Sequence, residues 1–340
     1  GFNANETGKP PLTPSWSLPL SPGALWPAMS DGTQLYVSEQ NGRAPGFTHL
    51  WAMSPDDGHT IWSQAIGKGV NLGQATVDSG RVYVAESNSG TTYMYAFDSS
   101  TGALVWSEPF MSQFDDYWAP LVLNGHIYFD GGYAGGLYGL ALADGHQLFF
   151  NNQLGQFDQW SPLSLGGNVY SFVGGKLRAH DPQSGSVAAT ATIGGTFPFY
   201  SMETAPVSDG TRIYVVAPPS LYAVDPATMT VVWAATGAYS GMAAVSGGVV
   251  FAVSGGQLVA NDAATGAGRW TFPADAALSY PPVIAGGWVY AASNAHVYAV
   301  DVTTGQATWA GGPGGWLSIA KGALYVAQAN GTLSAYALSP

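Results

Sequence analysis

Short apolar runs alternate with turn residues along the whole chain, and the alternation itself repeats. Runs carrying an aromatic occur at Leu35-Tyr36-Val37, Val82-Tyr83-Val84, Ile127-Tyr128-Phe129, Ile213-Tyr214-Val215, Val289-Tyr290 and Leu324-Tyr325-Val326. A tight turn precedes each, as at Asp31-Gly32, Asn124-Gly125, Asp209-Gly210 and Gly286-Gly287. Gly and Asn supply the positive φ that two-residue hairpins need. Downstream comes a second phrase, seen as Met94-Tyr95-Ala96-Phe97-Asp98, Leu221-Tyr222-Ala223-Val224-Asp225 and Val297-Tyr298-Ala299-Val300-Asp301. Four residues past the Asp there is usually a Gly, and four past the Gly usually a Trp: Trp62, Trp106, Trp233, Trp270 and Trp309. Phe149 and Ala189 occupy the Trp slot in weaker copies.

The pattern recurs about every 40 residues, the signature of a repeat architecture. Each unit reads as four short strands bounded by turn residues, and no long stretch has helical periodicity. Eight units of four antiparallel strands predict an all-β, eight-bladed β-propeller forming one domain over 1–340. The last unit runs out at Ala337-Leu338, before its outermost strand. Segment 14–20, which carries Trp16, supplies the missing strand and closes the ring. Closure removes two free sheet edges that would invite aggregation.

Composition narrows the function classes. Net charge is −12 with only 9 Lys and Arg, which argues against nucleic acid and against an anionic membrane surface. No apolar run reaches 18 residues, so no helical span is expected. Cysteine is absent, excluding disulfides, thiolate metal sites and Cys nucleophiles. Few charges with many Gly, Ser and Thr point to an extracytoplasmic protein, secreted, periplasmic or on the cell surface, and to a monomer.

The phrase Tyr95-Ala96-Phe97-Asp98-Ser99-Ser100-Thr101-Gly102-Ala103-Leu104-Val105-Trp106 resembles the repeat of the pyrroloquinoline-quinone-like, quinoprotein-type propeller family. Asn3, Glu6, Thr7 and Trp16 resemble the opening segment of those proteins. The resemblance implies eight blades whose outer Trp docks between neighbours. It is closer to the propellers of barrel-assembly lipoproteins than to the quinone-dependent dehydrogenases. The latter are longer and carry an adjacent Cys pair beside the cofactor, so no quinone is expected here.

The repeat Trp, Tyr and Asp residues are read as docking, core and turn residues. Function is sought at the start of each innermost strand, where a propeller's central channel opens. Aromatics recur there: Trp26, Tyr117, Trp118, Trp160, Tyr200, Tyr280 and Trp316. Blades three to five add Asp115, Asp116, Asp158 and Glu203. The loops following the second strand are expected on the same face and are longest in blades one to three, at Glu39 to Gly46, Glu86 to Thr92 and Asp130 to Gly136. Two readings follow. Either the aromatics plug the channel and the acids are solvated, or the face is a ligand funnel. Aromatic platforms with carboxylates suit sugar rings or cations.

Ca²⁺ is the ion such oxygens would admit, with Asp115 and Asp116 as its ligands, although they lack calcium-loop spacing. The leading expectation is a non-catalytic scaffold recognising protein or glycan. A glycan-active enzyme is the alternative. Asp116, Asp158 and Glu203 would then supply a general acid and a second carboxylate, which a glycosidase places about 5 to 10 Å apart. A lyase would need a cation to neutralise a uronate, and only Arg43 and Lys68 are near. A quinone oxidoreductase comes last.

Overall fold

The structure is a computed structural model that describes residues 5–40, 47–68, 71–87, 92–111, 117–132, 135–197 and 201–340. Period-two segments separated by Gly-rich turns form eight antiparallel sheets, arranged as a propeller with no α-helix among the described residues. The blades span Ala24–Lys68, Asn71–Phe110, Leu121–Asn151, Leu163–Thr192, Val207–Thr236, Tyr239–Phe272 and Val283–Gly311; the eighth spans Trp316–Ser339 and takes its outer strand from the N-terminus. That strand runs Lys9–Pro19, starting five residues before the expected segment 14–20. It pairs antiparallel with Thr332–Ser339 in a register that sets Ser17 opposite Ser334 and Trp16 opposite Ala335. The early start adds a ladder from Lys9↔Ser339 and buries Leu12 in the eighth blade's core.

The repeat phrase builds the contacts between blades. The indole N–H of Trp62 donates to the Ser99 carbonyl of the next blade at 2.8 Å. Trp16, Trp106, Trp233 and Trp270 do the same to Pro55, Leu142, Ala263 and Val302 at 3.0–3.3 Å. The phrase Gly of the next blade lies under that ring. Gly102 has φ 72°, and a Cβ on it would come within 2.6 Å of the Trp62 ring. Gly58, Gly145, Gly266 and Gly305 meet Trp16, Trp106, Trp233 and Trp270 in the same way. Trp and Gly are thus two halves of one joint.

Blades 4 and 5 break this joint on both sides at once. Ala189 holds the Trp slot of blade 4, and Met229 holds the Gly slot of blade 5 with φ 52°. Both belong to one packed cluster, where Met229 is buried. By repeat register Met229 stands where a phrase Gly meets the indole at the other joints, and close packing favours a side chain there when the facing slot holds only Ala.

The phrase Asp residues cap the turn before the outer strand. Asp98 Oδ1 accepts from the backbone N–H of Ser100 and Thr101 at 3.0 and 2.8 Å. Hydrogen bonds led by Ser100 hold its carboxyl down at about 2. Asp181, Asp225, Asp262 and Asp301 accept equivalent bonds.

Candidate functional site

The innermost strand is interrupted in the first two blades. In blade 1 it splits into Ala24–Leu25 and Met29–Ser30 around Trp26-Pro27-Ala28, and in blade 2 around Gly73-Gln74-Ala75. Pro27 has no N–H to give a ladder, and the break swings Trp26 onto the axis. Its backbone N–H donates to Ser38 at 3.0 Å, and its indole N–H to the Leu72 carbonyl at 2.7 Å. Trp316 of blade 8 packs against it at 5.9 Å between centroids, Trp118 meets Trp316 edge-on at 6.4 Å, and Tyr280 meets Trp316 at 5.7 Å. Ala205 and Met242 complete this cluster from blades 5 and 6. Rings from opposite sides of the propeller therefore meet over the axis.

The other expected aromatics lie elsewhere. Tyr117 is buried and packs edge-on against Phe110 at 5.4 Å. Trp160 is 1% exposed, donates to the Phe157 carbonyl at 3.1 Å, and sits in the core between blades 3, 4 and 5. Neither presents a ring face to a ligand. Asp115, Asp116, Tyr200, Arg43 and the side chain of Lys68 lie outside the described residues, as do residues 41–46, 88–91 and 133–134 of the three long loops.

Asp158 and Glu203 do come together. They line one pocket of about 350 Å³ between blades 4 and 5, with Gln159, Thr196, Phe197, Ser201, Met202, Pro218, Ser240 and Gly241. The two strand lead-ins are tied there. Asp158 and Ser201 form a parallel bridge, Met202 N donates to Asp158 O at 3.0 Å, and the Ser201 hydroxyl donates to Gln159 Oε1 at 2.8 Å. Gln159 and Glu203 have φ 57° and 46°. Left-handed non-Gly backbone costs about 1–3 kcal/mol per residue and collects at functional sites. Among the described residues no Lys, Arg or His lines the pocket.

The histidines are accounted for locally. His59 and His146 pair with Asp57 and Asp144 two residues away, in solvent. His49 and His296 pair with Glu39 and Asp275. His180 is buried, with Nε2 2.8 Å from the Ser171 hydroxyl and Nδ1 3.0 Å from the Gly185 carbonyl. Burial pushes its imidazole down to about 4. Asn261 holds the same repeat position in blade 6 and donates to Gly266 O at 3.0 Å, so this slot is a turn anchor.

Among the described residues no group of three or more His, Asp, Glu or Cys is placed to hold a metal ion. Three indoles occupy the axis, and among the described residues no charged side chain lines the axial cavity.

The sheets and their aromatic-sealed axis define an eight-bladed propeller of the quinone-repeat type. The chain belongs to the family described as outer membrane protein assembly factor BamB, whose model matches residues 46–220 and 218–339. BamB from Moraxella catarrhalis superposes with a TM-score of 0.78 at 16% identity, covering 96% of this chain and 100% of that one. The computationally designed Ika8 protein gives 0.76 at 10% identity, with 96% and 100% coverage. A europium-containing methanol dehydrogenase gives 0.72 at 12%, with 99% and 96% coverage. At these identities the likeness is one of fold. No curated protein matches the chain.

Sequence reasoning missed Thr196 and Phe197 as walls of the carboxylate pocket, because they come from a connection that only the ring brings to the site. It also passed over Ser318, a polar residue beside the axis. A lone polar side chain on an otherwise apolar innermost strand was the available signal.

Proposed function

We propose that this chain is a non-catalytic, extracytoplasmic scaffold that holds a partner protein against its funnel face. The observation that carries this reading is the tied pair of lead-ins at blades 4 and 5. It presents Asp158 and Glu203 from one preformed concavity beside a sealed axis. Preorganised concavities bind at low ordering cost. Membership in an outer-membrane assembly-factor family supports a protein partner over a small substrate. The net charge of −12 favours partners with basic segments.

The test is binding of immobilised protein to peptide and glycan arrays, with the Asp158→Asn/Glu203→Gln double variant alongside. Basic peptides should bind, and the double variant should lose most of that signal. Binding confined to glycans would move the assignment to a lectin-like module.

A second reading has one specific support. Asp158 and Glu203 share a cleft, as a carboxylate-based glycoside hydrolase requires. Release of reducing ends from an oligosaccharide panel, lost in both Asp158→Asn and Glu203→Gln, would establish the enzyme and overturn the scaffold.

A further inference from the structure

A second cavity lies on the axis, beneath the Trp layer. It measures about 260 Å³ and is walled by Pro27, Ala28 and Met29 of blade 1, Met242 of blade 6, Pro281 and Val283 of blade 7, and Trp316 to Ile319 of blade 8, with Gln74 of blade 2. The blade 1 and blade 7 walls follow directly on Trp26 and Tyr280, and Trp316 and Met242 belong both to the cavity wall and to the aromatic cluster, which sets the cavity against the Trp layer. Met29, Met242 and Trp316 are half-buried, so the space is not sealed from solvent.

Its polar content is small and specific. The Ser318 hydroxyl oxygen is buried and has no hydrogen-bond partner among the described residues. The Gln74 side-chain N–H finds the Met29 sulfur at 3.7 Å, a weak acceptor. A buried hydroxyl without a partner is destabilising, and a ligand that supplies the partner relieves it. A concave apolar space with a few convergent polar groups is the usual form of a small-molecule site.

We propose that this cavity binds a small neutral aromatic molecule carrying one hydroxyl or N–H group. No charged side chain lines it, so an ion would be desolvated without compensation. Two thioethers and an indole favour a ring, because sulfur and ring edges interact well with π faces. An apolar cavity of about 150 Å³ accepts benzene in an engineered lysozyme, the reference case for such spaces. The larger volume here admits a ring with a polar substituent, which Ser318 and Gln74 would satisfy. The site needs nothing from the blade 4–5 pocket and stands whether or not a partner docks there.

The experiment titrates the whole chain with p-cresol, toluene and benzoate, using calorimetry and ligand-observed saturation-transfer NMR. Saturable p-cresol binding is expected, with benzoate at least tenfold weaker. Ser318→Ala should weaken p-cresol about fivefold, the loss of one neutral hydrogen bond, and leave toluene unchanged. Met242→Trp, which fills the cavity from a half-buried wall, should abolish binding with circular dichroism and melting temperature retained. Ser318→Leu provides the same block from the opposite wall if that variant misfolds. No saturable p-cresol signal, benzoate binding as tightly as p-cresol, or binding unchanged in a folded blocking variant would overturn the proposal.

Discussion

His180 shows how a buried polar side chain makes one turn pH-sensitive. Its pKa is about 4 in the folded chain against an ordinary 6.5, so the unfolded chain binds the extra proton first. Stability is then complete above about pH 6.5 and falls as pH drops from there towards 4, by up to roughly 3 kcal/mol from this group. Urea midpoints between pH 7.5 and 4.5 should show that slope. His180→Asn should flatten it, because Asn261 makes the same bond to its turn Gly without titrating. Unchanged slopes in the two proteins would place the acid sensitivity elsewhere. The imidazole's position was legible in the sequence as part of the third strand. The repeat also carries the signal for its burial, since the same slot holds the buried Phe97 and Val224 in the second and fifth blades.

Between elements, the Trp–Gly joint determines how one blade seats on the next. Trp106→Ala removes a buried ring and should cost about 3–5 kcal/mol in chemical denaturation. The blade 4–5 joint gives a stricter test. Ala189→Trp alone overfills the space that Met229 occupies and should cost about 1–3 kcal/mol. Met229→Gly alone leaves a cavity and should cost about 2–4 kcal/mol, less the relief of its left-handed backbone. The double variant rebuilds the joint of the other blades, so its cost should fall well below the sum, with a coupling of about 1 kcal/mol or more. Simple additivity would mean that the two residues do not share a space. Both substitutions are plain in the sequence as departures from the repeat. Their connection is not, since they are forty residues apart in different units and only the ring sets one upon the other. The same reasoning applies to the candidate site. Asp158 and Glu203 could be singled out by position, but their common pocket depends on a bridge between two loops that carries no sequence signature.

For the whole molecule, the fold was readable because the repeat is redundant: eight imperfect copies average out local errors, and only the bounds of the closing strand shifted. The axis was less readable. Aromatics at the channel mouth fit a plug or a platform equally well, and the choice depends on where a broken inner strand aims Trp26. Removing residues 1–20 should take away the Lys9–Pro19 strand and expose the edge of Thr332–Ser339. Size-exclusion chromatography and thermal melting should then show association and a lower transition. A soluble monomer with an unchanged melt would contradict the closure. The bonds from Ser17 to Ser334 and from Ser339 to Pro11 span 317 and 328 residues, so this strand pairing is among the last contacts a growing chain can make. Until the C-terminal strand has been synthesised, the first strand has no place to go, and every earlier blade belongs to an open arc. The first strand therefore waits unpaired while the blades before the last are made, and the ring closes late.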